Sequence, residues 1–173
     1  MKKYFIRFTT LILCLLSSCK NSGEKLMPSI SGKAGEVLVV IEKAEWEGVL
    51  GESLRNTLEA DYPYLPLREP LYTLIHVTHG NFTEMFKVHR NIIFTEINPQ
   101  IQKPGVTIVK DKWASPQIII NIAAYTQEDA KALFEKDKKL IINAIEQAER
   151  DRVVRNAIRY ENREIRAKLE PVF

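Results

Sequence analysis

The alternation of hydrophobic and polar positions divides residues 35–169 into segments with strand and helix patterns. The near-continuous apolar run at 36–42 is rich in β-branched residues and typical of a strand covered on both faces. Further strands are predicted at 71–78, 92–97, 106–111 and 117–123. Apolar residues at helical spacing predict helices over 44–60, about 81–90 and 126–169. The pattern predicts an α+β fold, an α/β sandwich. The elements follow one another in the order β-α-β-α-β-β-β-α, so that about five strands form a mixed sheet and the last element is a long C-terminal helix.

Local signals refine the helices. Two pairs have the spacing of a capping box and predict helix starts: Asn81 with Glu84, and Thr126 with Asp129. Gly48 and Gly51 lie inside the first predicted helix, where each costs about 1 kcal/mol relative to alanine. We interpret them as positions where this helix packs closely on the strand before it.

The last predicted helix changes its buried face half-way along. At about 100° per residue, the apolar residues of the first half share one sector, and beyond Glu149–Arg152 the apolar face moves by roughly a third of a turn. In the second half the original sector carries five arginines: Arg152, Arg155, Arg159, Arg163 and Arg166. The helix is therefore predicted to break here, or to leave the core and pack against a different body. On this basis the α/β domain spans 35–149, and 150–173 form a helical extension.

The first nineteen residues have the pattern of an export signal. A basic start, Met1–Lys3, precedes the apolar run 8–16, which is too short to cross a bilayer as a helix. The run ends in Leu16-Ser17-Ser18-Cys19, which resembles a bacterial lipobox. The resemblance implies that 1–18 are a lipoprotein signal peptide and that Cys19 receives fatty acyl chains such as palmitate. Several acyl chains hold a protein on a membrane without crossing it.

The expected location is the cell envelope, with the exported protein lipid-anchored to a membrane. Lys20 follows the lipid site in place of the Asp that retains enterobacterial lipoproteins in the inner membrane, which favours the outer membrane. Residues 19–34 are polar, rich in small residues and without helical or strand periodicity, so they predict a flexible tether.

The charge of the chain changes meaning once this signal is set aside. The full chain has 25 Lys and Arg against 22 Asp and Glu, with a pI of about 8.8. Lys2, Lys3 and Arg7 lie in the predicted signal peptide, which contains no acidic residue, so the mature chain carries 22 charges of each sign. The basic pI thus gives no support for a nucleic-acid partner. Two cysteines also exclude a disulfide-rich scaffold and a four-thiolate zinc site.

The charge that remains distinctive is local and lies on the arginine stripe of the last helix. Guanidinium groups bind carboxylates and phosphates through paired hydrogen bonds, so the five arginines are candidates for binding a protein or another anionic partner of the envelope. The alternative is a solvated helix face with pairs such as Asp151–Arg155, each worth a few tenths of a kcal/mol.

Catalytic and metal sites have weaker support. The sequence has no G-x-S-x-G motif and no thiol beyond Cys19 in the mature chain, so no catalytic residue is assigned. Three carboxylates near strand or helix ends are candidates for a glycosidase-type pair: Glu36, Glu42 and Asp61. The histidines lack ligand spacing, so no metal and no cofactor is predicted: His76, His79 and His89. Trp46 and Trp113 are interpreted as packing residues rather than as platforms for a sugar.

Several short motifs together resemble a family of Bacteroidota lipoproteins catalogued as domain of unknown function 4837. The motifs run from about Gly32 to Glu170 and comprise Gly32–Val40, Trp46–Gly48, Tyr62-Pro63, His89–Ile92, Trp113–Gln117 and Gln147–Arg152. The resemblance implies a lipid-anchored envelope protein and supplies no activity. It also implies that a second domain follows the last helix.

We therefore expect a lipid-anchored envelope protein with a non-enzymatic role in binding or assembly. The alternative is an enzyme, a glycan- or peptidoglycan-directed hydrolase that uses paired carboxylates. Two acids about 5–10 Å apart in a pocket would favour the hydrolase. An exposed apolar stripe along 153–169 would favour a scaffold that acts through its C-terminal helix.

Overall fold

The computed structural model describes residues 27–63 and 65–161. The predicted signal peptide, Cys19, Arg163 and Arg166 lie outside these residues. Within them, no helix is both long enough and apolar enough to cross a bilayer.

Five strands of the described chain form one mixed sheet, which confirms the predicted α+β fold. They are β1 (Glu36–Val40), β2 (Thr73–Val77), β3 (Asn91–Ile97), β4 (Gly105–Lys110) and β5 (Ile118–Ala124). Their spatial order is β2-β1-β3-β5-β4, in which β4 is antiparallel to β5 and the other neighbours are parallel. The inner strands β1, β3 and β5 are covered on both faces, which is why their sequences are nearly continuous apolar runs.

Helices connect the strands in the predicted alternation. They are α1 (Lys43–Trp46), α2 (Val49–Leu58), α3 (Glu84–Lys87) and α4 (Gln127–Tyr160), with a 3-10 turn at His79–Asn81. The Thr126 side chain accepts a hydrogen bond from the Asp129 amide at 3.1 Å, so this capping prediction is confirmed. The other capping prediction is wrong, because Asn81 lies inside the 3-10 turn and α3 starts at Glu84 without a side-chain cap.

The single helix predicted over 44–60 is two helices, α1 and α2, separated by a bend at Glu47–Gly48. The glycine interpretation is also wrong, because the nearest neighbours of both glycines belong to helices. A Cβ on Gly51 would clash with the backbone oxygen of Trp46, and one on Gly48 would clash with the Gln127 side chain. The two glycines instead allow α1, α2 and the start of α4 to approach one another closely.

The sheet separates two hydrophobic clusters. The larger cluster joins β1, β3 and β5 to α2 and α4, and its fully buried members include Leu54, Ile93 and Phe134. The smaller cluster lies on the opposite face and joins Leu38 and its neighbours to aromatic residues around α3. Helix α4 therefore covers one face of the sheet.

Helix α4 is continuous through the predicted change of face, and its 34 residues make it about 50 Å long. Its buried positions up to Ile145 are apolar, and the next buried position is Arg152. Beyond Arg152 the helix is exposed, as Val153, Ile158 and Tyr160 show with 66%, 65% and 80% of their surface accessible. Of the two alternatives, the helix does not break within the described residues; its end leaves the core.

The folded part begins earlier than predicted. The Ser31 amide donates to the Val88 oxygen at 2.8 Å, and the Ser31 oxygen accepts from the Arg90 amide at 3.1 Å. These bonds hold the chain on the edge of the sheet where β3 begins, so the interpretation of 19–34 as a flexible tether does not hold up to Ala34. At the other predicted boundary, α4 crosses 149–150 without interruption.

Candidate anion-binding site

A polar network lies at the amino edge of the sheet, which we define as the edge where β3 and β5 begin. Glu149 on α4 accepts hydrogen bonds from Arg90 (2.7 Å), Asn91 (2.8 Å) and Arg152 (2.9 Å). The network is largely buried, because the side chains of Arg90, Glu149 and Arg152 are 13%, 17% and 4% exposed. One carboxylate is thus shared by two guanidinium groups, and the network keeps an excess positive charge.

The Arg152 guanidinium also binds the starts of two strands. It donates to the backbone oxygens of Pro116 (3.1 Å) and Arg90 (2.8 Å) and to the side-chain oxygen of Asn91 (2.9 Å). Burial lowers the pKa of Arg152, and Glu149 is the main opposing influence. Since every partner is an acceptor, the arrangement suits the charged form. Arg152 therefore differs from the exposed arginines of the stripe. Its charged side chain occupies the core sector of α4 because each of its three nitrogen atoms donates to an acceptor there.

A groove of about 500 Å³ lies beside this network, between the segment 27–32 and the last turns of α4. Its described lining contains four arginines and no carboxylate: Arg90, Arg152, Arg155 and Arg159. Arg155 and Arg159 are exposed and form no salt bridge with any described residue. The Nε atom of Arg90 is buried and has no hydrogen-bond partner among the described residues. The exposed guanidinium groups of Arg155 and Arg159 present hydrogen-bond donors for an anion in the groove.

The structure brings together three of the five predicted arginines and adds Arg90, which lies 62 residues before Arg152 in the chain. The pair predicted under the solvated-face alternative, Asp151–Arg155, is not formed. Asp151 instead accepts a hydrogen bond from Gln147 at 2.7 Å, one turn earlier on the same helix. The arginine side of the helix is therefore not neutralised by that acid.

His89 lies beneath the groove and is buried. Its Nδ1 donates to the Asn91 carbonyl at 3.1 Å, so Nε2 carries no proton in the neutral ring. The Nε2 atom lies 3.7 Å from the Glu36 carboxylate. Burial lowers the pKa of His89, and this effect outweighs the opposite effects of the hydrogen bond to Asn91 and of Glu36. A Cβ on Gly32 would lie 2.6 Å from Nε2, and the backbone there has φ of +91°. Only glycine lets the chain cross over the imidazole and form the wall of the groove.

The three carboxylates considered for a hydrolase each have a separate basic partner. Glu36 is the first residue of β1, and Glu42 lies two residues beyond the end of this strand. About 20 Å of extended chain therefore separates the two. The Glu42 carboxylate lies 2.9 Å from His79, and that of Asp61 lies 3.6 Å from Arg68. The structure pairs none of the three with another.

The histidines are equally dispersed. His76 stacks on Trp46 with ring centroids 4.9 Å apart, whereas His79 contacts the Thr95 oxygen at 2.6 Å and His89 lies under the groove. Across the two described ranges, no group of three or more His, Cys, Asp or Glu side chains has the geometry to hold a metal ion.

Both tryptophans have ring faces covered by the protein's own cations. The Arg55 guanidinium lies 4.6 Å from the Trp46 ring, and Lys112 Nζ lies 4.4 Å from the Trp113 ring. Trp113 also packs edge-on against Phe82 at 5.6 Å in a concavity of about 460 Å³ on the opposite face of the sheet. These contacts are those expected of packing residues.

Three members of the network, Arg90, Asn91 and Glu149, were not predicted from the sequence. One signal was present, because Asn91 is a polar residue at the start of a strand in which the following residues are apolar, and it is fully buried. Such a residue must find hydrogen-bond partners inside the protein. Nothing in the sequence says that these partners come from the far end of the chain.

The comparisons with known proteins identify a family without a described activity. No curated protein and no solved structure matches the chain. None of the comparisons bears on the resemblance to domain of unknown function 4837, which stays a prediction. The family model described as Domain of unknown function (DUF8532) matches residues 30–157, which include all five strands, the polar network and Arg155 of the groove. Because this match covers well over half of the sequence, the chain belongs to the DUF8532 family.

Proposed function

We propose that the protein is an exported, lipid-anchored protein of the bacterial cell envelope that binds an anionic partner in the arginine groove and performs no catalysis. The observation that carries the proposal is the convergence of Arg90, Arg152, Arg155 and Arg159 on one groove with no carboxylate in its described lining. Like charges repel one another, so a bound anion would stabilise this arrangement.

The four arginines divide into a fixed pair and an available pair. Arg90 and Arg152 are held by Glu149 and by backbone oxygens, so they form a rigid floor. Arg155 and Arg159 are exposed and lie one turn apart on α4, about 6 Å along its axis. Guanidinium groups at this spacing are suited to paired hydrogen bonds with phosphate or carboxylate oxygens.

The anchor is proposed on the lipobox-like Leu16-Ser17-Ser18-Cys19, with the outer membrane as the favoured location. The resemblance to Bacteroidota lipoproteins supports the same proposal. We expect cells fed with labelled palmitate to label the wild-type chain and not Cys19→Ala. Equal labelling of the two would remove the anchor from the proposal.

Replacing both Arg155 and Arg159 by glutamine is expected to weaken the binding of inorganic pyrophosphate by about tenfold, because two charge-assisted contacts are lost. Titration calorimetry at low ionic strength measures the affinity. The matched control is Lys136→Gln with Lys139→Gln, which removes the same charge from exposed positions nearer the start of α4. We expect this control to keep the wild-type affinity.

Two results would contradict the groove as the binding site. If the control lost as much affinity as the arginine variant, net charge alone would explain binding. If the wild-type chain bound no pyrophosphate, the groove would have no demonstrated affinity for anions.

The hydrolase remains the alternative prediction. It requires two carboxylates about 5–10 Å apart in one pocket. Glu36, Glu42 and Asp61 give it no support, since each interacts with a different basic residue.

A further inference from the structure

We infer that the groove and the exposed last turns of α4 form the surface through which the anchored domain docks on acidic phospholipids of its own membrane. The inference rests on the proposed function and names the anion as the headgroup phosphate of a lipid. Three features of the molecule carry it: the two arginines that form no salt bridge among the described residues, the apolar residues beside them, and the short stretch of chain between the groove and the proposed lipid site.

The first two features lie side by side on α4. At about 100° per residue, Val154 and Ile158 occupy one line of the helix surface, and Arg155 and Arg159 occupy the neighbouring line about 100° further round. Val154 and Ile158 are 56% and 65% exposed. Helices that lie in a bilayer interface have this pattern, with apolar residues at the acyl boundary and cations among the headgroups.

The other exposed apolar residues of these turns are not part of this surface. At the same angular spacing, Tyr160 and Val153, which are 80% and 66% exposed, lie on the opposite side of α4. The proposed docking surface therefore rests on Val154 and Ile158 with the two neighbouring arginines.

The third feature is the short stretch of chain between the groove and the proposed lipid site. Met27 lines the arginine groove, and eight peptide steps separate it from Cys19. Even fully extended, eight steps reach no further than about 28 Å. An acyl group on Cys19 would therefore hold the groove within about 28 Å of the bilayer. Electrostatic attraction to an anionic surface acts within about 10 Å, a distance that a domain tethered this closely can reach.

The test uses the mature chain, residues 19–173, with Cys19→Ala so that no acyl chain contributes. Co-sedimentation measures its partitioning onto vesicles of phosphatidylcholine alone and of phosphatidylcholine with phosphatidylglycerol. We expect preferential binding to the anionic vesicles and a roughly 30-fold weaker partitioning for Arg155→Gln with Arg159→Gln. Val154→Ser with Ile158→Ser should also weaken vesicle binding while leaving pyrophosphate affinity unchanged. The control Lys136→Gln with Lys139→Gln should partition like the parent, and thermal unfolding of each variant shows that it is folded.

The outcomes separate this inference from the function on which it rests. Pyrophosphate binding without preferential binding to anionic vesicles would overturn the membrane docking and leave anion binding in place. Absence of both would overturn both. A chain that dimerises through the end of α4 in sedimentation, and in that form does not bind vesicles, would assign the apolar line to a second copy and overturn the docking.

Discussion

Replacement of Glu149 by alanine is expected to lower the free energy of unfolding by about 3 kcal/mol, because two buried guanidinium groups lose the carboxylate they share. The loss exceeds that of an ordinary hydrogen bond, since the remaining charges of Arg90 and Arg152 are left desolvated and repel each other. Asn91 would also lose an acceptor for its side-chain amide. Glu149→Gln keeps the shape and one acceptor oxygen, so its effect should be intermediate.

Urea unfolding measures the effect as a lower midpoint at an unchanged slope. The control is Glu146→Ala, one turn earlier on α4, which removes a 3.2 Å ion pair with the exposed Arg150. An exposed pair of this kind contributes about 0–1 kcal/mol. Equal losses for Glu149→Ala and Glu146→Ala would show that the network at the amino edge adds no particular stability.

Gly51→Ala is expected to destabilise the protein by about 2 kcal/mol, although the change favours the helical state by itself. Alanine is preferred over glycine inside a helix by about 1 kcal/mol, so propensity alone predicts a more stable protein. The added methyl group would clash with the Trp46 backbone oxygen, and that oxygen also accepts a 2.7 Å hydrogen bond from Arg55. The end of α1 must move to make room, and overpacking of this kind costs more than the propensity gains.

Gly80→Ala is the matched control, because nothing lies within 4 Å of the position its Cβ would take. We expect its unfolding free energy to stay within about 0.5 kcal/mol of the wild type. Movement of α1 should also alter the fluorescence of Trp46, which is stacked on His76. A stabilised Gly51→Ala protein with unchanged fluorescence would contradict the close approach of α1 and α2.

The strands were predictable because three of them are buried on both faces. In β1, β3 and β5 the burial requirement acts on every residue, so a short window of sequence carries the whole signal. The spatial order of the strands was not predictable in this way. Parallel neighbours are joined by long crossovers, so no short segment of sequence shows which strand pairs with which. The bend between α1 and α2 was missed for a related reason: helical spacing of the apolar residues continues across Gly48.

The site was predictable only in part. The sequence indicated an arginine stripe on the last helix, and Arg155 and Arg159 do line a groove. A helical projection puts Arg152 in the sector of the buried apolar residues together with Arg155 and Arg159, but it does not show that Arg152 alone is buried. The acceptors that make its burial possible come from Arg90, Asn91 and Pro116, and their approach to α4 is a property of the tertiary fold.

The position of α4 at the end of the domain has a consequence for the order in which the protein can fold. The larger hydrophobic cluster needs Phe134, Ile141 and Ile145 from this helix to cover residues of β1, β3 and β5. During synthesis those strands emerge before α4, and until this helix has left the ribosome the larger cluster has only α2 to cover it. Contacts between such distant segments close slowly. For a chain proposed to cross a membrane before it folds, late closure of this core favours translocation, because the polypeptide stays unfolded until α4 has been made.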